Sequence, residues 1–115
     1  MSETIQLMSN EYLMREGEES TEMYYLQSGT LVVYKRRGDV DHQIGNIISG
    51  ELVGEMSFLD KQPRSASVKA LNDCILVKIP SEKLEQTMDS MPKWFSALLN
   101  TLTERLRKAN ARIRI

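Results

Sequence analysis

A chain of 115 residues with 15 Lys and Arg against 16 Asp and Glu carries a formal net charge of −1; 41% of its residues are hydrophobic and 27% charged. That is the make-up of one globular domain with a real core, and the charge balance argues against the basic surface that wholesale nucleic-acid binding requires. No apolar run approaches a membrane span, the N-terminus lacks a signal peptide's apolar core, and the single cysteine, Cys74, excludes an internal disulfide and points to a reducing cytoplasm.

In chain order, residues 2–9 alternate apolar and polar through Ile5 and Leu7, as a half-buried strand does. Tyr12-Leu13-Met14 forms a second short strand, closed by a turn at Glu16-Gly17-Glu18. Met23 to Tyr34 is the clearest β segment, with Ser28-Gly29 marking a turn inside it. Lys35 to Asp41 reads as a charged, solvated hairpin tip, and the only histidine, His42, lies beside it. Ile44 to Ile48 is a further strand, followed by a glycine-containing loop over 50–68. Ser67 to Leu71 and Cys74 to Ile79 read as a closing hairpin over Asn72-Asp73, with Cys74 a buried strand thiol. Many short strands at this spacing predict a β-sandwich or jelly roll.

Helical signals begin at Pro80-Ser81. Ser81 is a candidate N-cap, Glu82 and Glu85 place negative charge in the first turn, and this helix ends near Ser90. Pro92 opens a second helix to about Ile113. Its residues Phe95, Leu99, Leu102, Leu106, Ala109 and Ile113 follow a 4-3-4-3-4 step, a heptad seam long enough to join two helices in a homodimer. The basic residues Arg105, Arg107, Lys108, Arg112 and Arg114 read as its solvated face.

The loop over 50–68 carries the chemistry. Gly54 lets the backbone approach a ligand or take positive φ, and Glu55 to Leu59 predicts one short helical turn whose free N–H groups suit a phosphate. Arg64 offers a planar fork of donors to two phosphate oxygens, and Ser65 adds a hydroxyl and an N–H. Glu55, acceptor-only when ionised, would repel a phosphate but can accept from sugar hydroxyls at some distance from it. One acid for a ribose and one base for a phosphate is what a nucleotide requires.

Gly54-Glu55-Met56-Ser57-Phe58 and Pro63-Arg64-Ser65-Ala66-Ser67-Val68 resemble the two halves of the phosphate-binding cassette of the cyclic nucleotide-binding domain family, whose members include the bacterial catabolite activator and the regulatory subunit of cAMP-dependent kinase. Arg15-Glu16-Gly17-Glu18 resembles the family's turn after its second strand, and Met23 to Tyr34 its third and fourth strands. The resemblance implies a mostly β fold, a jelly-roll β-barrel (double-stranded β-helix) followed by a short helix and a long C-terminal dimerisation helix. Residues 1–115 then form a single domain, with 1–79 the β-roll and 80–115 the helices. It also implies a binding set of Val53, Gly54, Glu55, Met56, Arg64, Ser65 and Ala66, with Asn110 from the last helix facing the base. In the bacterial activators a Thr-Ser pair meets the purine there. Ala109-Asn110 stands in its place, and this departure leaves adenine against guanine open.

Two functions compete. The first is a non-enzymatic regulatory sensor of cAMP, or of cGMP, that signals to a downstream protein partner through its C-terminal helix, with no DNA or membrane partner. The second is a ligand-free, dimeric interaction module on the same fold. The family's helix before the first strand and a recognition helix after the last one are both absent from the sequence, and the first of these absences together with Ala109 favours the second reading. A metal-dependent enzyme is disfavoured, because several His and carboxylate ligands are needed and His42 stands alone.

Overall fold

Alternation of apolar and polar residues produces eight strands among the described residues, and the structure, a computed structural model, describes residues 3–20 and 22–113, without the side chains at 59, 60, 107 and 110–113. The strands are β1 (Glu3–Leu7), β2 (Tyr12–Met14), β3 (Met23–Ser28), β4 (Thr30–Arg37), β5 (Val40–Ile48), β6 (Leu52–Val53), β7 (Ser67–Ala70) and β8 (Cys74–Ile79). The helices are α1 (Glu55–Asp60), α2 (Ser81–Asp89) and α3 (Lys93–Ile113). The chain divides into two compact units, 1–80 and 81–115.

The first unit is a jelly-roll barrel of two antiparallel four-stranded sheets, ordered β1-β8-β3-β6 and β2-β7-β4-β5. Its core draws from both sheets: Leu7, Tyr24, Leu26, Val53, Cys74 and Leu76 from one, Met14, Leu31, Val68 and Ala70 from the other. Inward residues meet in register, Leu26 opposite Leu76 and Leu31 opposite Ala70, which is how the period-2 pattern becomes one buried layer. Leu26, Leu31 and Leu76 are fully buried, each contributing about 1.5–3 kcal/mol of apolar burial.

Two local expectations are corrected. The span Lys35–Asp41 is a charged hairpin end, exposed from Arg36 onward, but most of it is paired strand rather than loop: β4 runs to Arg37 and β5 starts at Val40, leaving a tight turn at Gly38-Asp39. Arg36 faces Asp41 across the ladder and donates to it from Nε at 3.1 Å, so opposite charges on paired strands extend the hairpin. Ser67–Leu71 and Cys74–Ile79 do not form a hairpin. β7 pairs with β2 and β4, whereas β8 pairs with β1 and β3, so Asn72-Asp73 carries the chain from one sheet to the other. The side chains at that crossing are spent on the framework: Asn72 accepts from the Thr30 N–H at 2.8 Å and Asp73 from the Ser9 N–H at 2.9 Å.

In the second unit, α2 buries no side chain. On α3, Phe95 and Leu99 are half-buried and the Thr103 hydroxyl donates back to the Leu99 carbonyl at 2.7 Å. Trp94, Leu98, Leu102 and Leu106 recur every four residues and are exposed. Among the described residues no helix is long and apolar enough to cross a membrane.

Candidate functional site

The chain leaves β6 through Gly54, at φ 80°, and enters α1. A Cβ on Gly54 would meet Arg64 Nη1 at 2.6 Å, Met14 Cε at 3.2 Å and the Glu22 carbonyl at 3.3 Å. Glycine is therefore required twice, for the left-handed backbone and for the close approach of the guanidinium. Phe58, 1% exposed, anchors α1 to the barrel. The helix ends at Lys61, also left-handed, whose N–H donates to the Ser57 carbonyl. The short link through Pro63 then returns the chain to Gly54, and Arg64 lies against it.

Arg64 is 4% exposed. Its Nη1 donates to the Gly54 carbonyl at 3.2 Å, and its Nη2 to the Glu22 carbonyl at 2.6 Å and the Ser20 hydroxyl at 3.1 Å. Its Nε–H has no partner. Burial pulls the guanidinium below its ordinary pKa, opposed by the fields of Tyr24, Glu18, Glu22 and Glu55, and arginine's high starting value leaves it a cation. The backbone around it is held equally firmly. The Gly17 N–H donates to the Arg64 carbonyl and the Arg64 N–H to the Glu18 carbonyl, both at 2.8 Å. Lys35 Nζ donates to the Ser65 carbonyl at 2.6 Å, and Glu16 pairs with Lys35 at 3.5 Å while accepting from the Arg36 N–H at 3.0 Å.

Val53, Gly54, Glu55, Met56, Arg64, Ser65 and Ala66 all line one cavity of about 150 Å³, whose other wall is the apolar group Met14, Val33 and Ile47. At that size the cavity holds part of a nucleotide rather than the whole, since complete small-molecule sites run to roughly 300 Å³ and more. Asn110 belongs to the second unit, and its side chain lies outside the described residues. Ala109 is exposed. Among the described residues no group of His, Cys, Asp or Glu could hold a metal ion.

Sequence reasoning does not single out Ser57, which is buried on α1 and lines the cavity, although it stands inside the Gly-Glu-Met-Ser-Phe motif. Nor does it find Ser20 or the Glu22 carbonyl, the two contacts that hold Nη2. Those lie more than forty positions from Arg64 in the chain, and nothing in the local pattern marks them.

The family model of the cyclic nucleotide-binding domain matches residues 4–91. An uncharacterized NTE family protein of Mycobacterium tuberculosis is 28% identical over 101 residues, covering 88% of this chain and 17% of its own length. The chain thus spans about a sixth of that relative. The EAL enzyme Bd1971 in its cAMP-bound form superposes with a TM-score of 0.83 at 25% identity, over 97% of this chain and 30% of that one, and the same enzyme has been solved with cGMP bound. The catabolite activator protein of Thermus thermophilus superposes with a TM-score of 0.80 at 25% identity, over 98% of this chain and 54% of that one. With the cassette, the barrel and the family match in agreement, the chain belongs to the cyclic nucleotide-binding domain family.

Proposed function

We propose that residues 1–115 act as a single regulatory domain, within a reducing cytoplasm, that binds a 3′,5′-cyclic purine nucleotide, cAMP ahead of cGMP, without a metal and without catalysis of its own. The observation that carries this is the Nε–H of Arg64, a buried charged donor with no partner on a residue that lines the same cavity as Glu55. Leaving such a donor unpaired costs about 1–3 kcal/mol or more, and an exocyclic phosphate oxygen satisfies it. Ser65 and the N–H groups after Gly54 complete the phosphate contacts, Glu55 accepts from the ribose 2′-OH, and Val53, Met56 and Ala66 shape the wall. Asn110 meets the base edge. The same unpaired donor weighs against a ligand-free interaction module, because a pocket given over to protein contacts has no reason to retain it.

Ligand binding favours one arrangement of the C-terminal helices over another, and a partner protein reads that difference. The heptad seam of α3 joins two copies about a two-fold axis.

Calorimetry with cAMP and cGMP tests the reading. Arg64→Lys keeps a cation but loses the planar fork, and Arg64→Ala removes both; each is expected to weaken cAMP binding by about 2–5 kcal/mol. Arg64→Ala also strands the Gly54 and Glu22 carbonyls, so its melting temperature falls as well, and Arg64→Lys is the cleaner probe. Unchanged affinity in Arg64→Lys contradicts the proposal.

A further inference from the structure

We propose that Ser20, on the turn between β2 and β3, is a positioning residue that aims the Arg64 guanidinium at the ligand phosphate, an inference that rests on the cyclic nucleotide reading above. Of the five guanidinium protons, the framework engages three, through the Gly54 carbonyl, the Glu22 carbonyl and the Ser20 hydroxyl. Ser20 supplies the one side-chain contact among these. Its Oγ also accepts from the Glu22 N–H at 3.5 Å while it holds the arginine.

The reason a hydroxyl matters at this point is what lies behind it. Arg64 also borders a second cavity, of about 160 Å³, lined by Leu13, Glu18, Glu19, Ser20 and Tyr24. Of the two glutamates in that lining, Glu18 acts on the guanidinium charge and so competes with a ligand phosphate for it, while its Oε1 also accepts from the Arg15 N–H. Ser20 occupies Nη2 with a neutral acceptor at 3.1 Å, which holds the guanidinium in place without neutralising it. Without the hydroxyl, Nη2 keeps only the Glu22 carbonyl, and its freed proton can swing toward Glu18, drawing the donors intended for the phosphate out of line. A third cavity, of about 400 Å³, reaches Ser20 from the side of Lys61 and Pro63, so the residue sits at the rim and can be changed without opening the barrel core.

Two measurements on the whole chain decide this, each with Ser20→Ala and with Ser20→Thr, which restores a hydroxyl. In ¹⁵N-labelled, ligand-free protein, the Arg64 guanidinium is expected to give separate, slowly rotating Nη signals in wild type and Ser20→Thr, and averaged signals in Ser20→Ala. In calorimetry, cAMP binds Ser20→Ala about tenfold more weakly, the size expected for a lost hydrogen bond to a charged group, with Ser20→Thr close to wild type. The preference between the two phosphorothioate diastereomers of cAMP, which exchange one exocyclic oxygen for sulfur and so read the donor's orientation at phosphorus, narrows in Ser20→Ala. Separate Arg64 signals in Ser20→Ala, or averaged signals with unchanged cAMP affinity and diastereomer preference, overturn the proposal. The first measurement needs no nucleotide. A wild-type protein that binds neither cAMP nor cGMP therefore defeats the ligand reading, while averaging in Ser20→Ala still upholds the hold of Ser20 on Arg64.

Discussion

Gly54 is the residue on which the site depends most directly. Its left-handed backbone and the 2.6 Å that a Cβ would leave to Arg64 Nη1 are separate constraints. Gly54→Ala is expected to lower stability by about 2–4 kcal/mol, from backbone strain and overpacking together, and to weaken nucleotide binding by displacing the guanidinium. Gly50 is the control: its φ is also positive, at 94°, but nothing lies within 4 Å of an added Cβ, so Gly50→Ala bears the backbone term alone, about 1–2 kcal/mol. Urea denaturation of both variants checks the difference, and equal midpoints would contradict the contact with Arg64.

At the scale of elements, strands β1, β3 and β8 are stitched at one end by charge. Lys78 Nζ lies 3.1 Å from a Glu22 carboxylate oxygen and 3.8 Å from Glu3, and Lys78 stands opposite both Glu3 and Tyr24 in the ladders. The hydrogen bond to Glu22, followed by the charge of Glu22, raises the Lys78 pKa above its ordinary value, with burial opposing and Glu3 adding. A raised lysine pKa stabilises the fold fully below the unfolded-state value of about 10.4 and loses that contribution as pH climbs through the higher folded-state value. The melting-temperature gap between wild type and Lys78→Met is therefore expected to be constant from neutral pH to about 9 and to shrink above about 10.4. A gap that widens with alkaline pH reverses the sign and rejects the assignment. Because the Glu22 carbonyl holds Arg64 while its carboxylate holds Lys78, one residue ties the candidate site to the strand that leads into the second unit.

At the scale of the whole molecule, α3 presents Leu98, Leu102 and Leu106 to solvent in a single chain, an arrangement that buries little of its apolar stripe. The proposed dimer seam accounts for Leu102 and Leu106, whereas Leu98 stands outside that seam. Sedimentation of wild type at micromolar concentration is expected to give a dimer, and the paired substitutions Leu102→Asp and Leu106→Asp a monomer with the barrel's β spectrum retained. A monomeric wild type removes the dimer from the account. The last step of the seam, Ile113, falls on a side chain outside the described residues.

The sequence by itself determined most of what is local. The strand period at Ile5 and Leu7, the helix after Gly54, and the spacing of Glu55 and Arg64 on one loop are written in neighbouring residues, because sterics and alternation act over a few positions. The resemblance to a known family, added to these, implied the jelly roll, the cassette and a binding set of eight, of which seven line one cavity and the eighth, Asn110, has its side chain outside the described residues. Tertiary structure alone decided which strands share a sheet: Ser67–Ala70 and Cys74–Ile79 look like a hairpin in sequence yet belong to opposite sheets, since pairing depends on which faces are buried together. It alone brought Ser20 and Glu22 to Arg64 across more than forty residues. Burial is what makes that meeting necessary, because a guanidinium removed from water must find its acceptors wherever the fold puts them, and no residue near it in sequence records where they are.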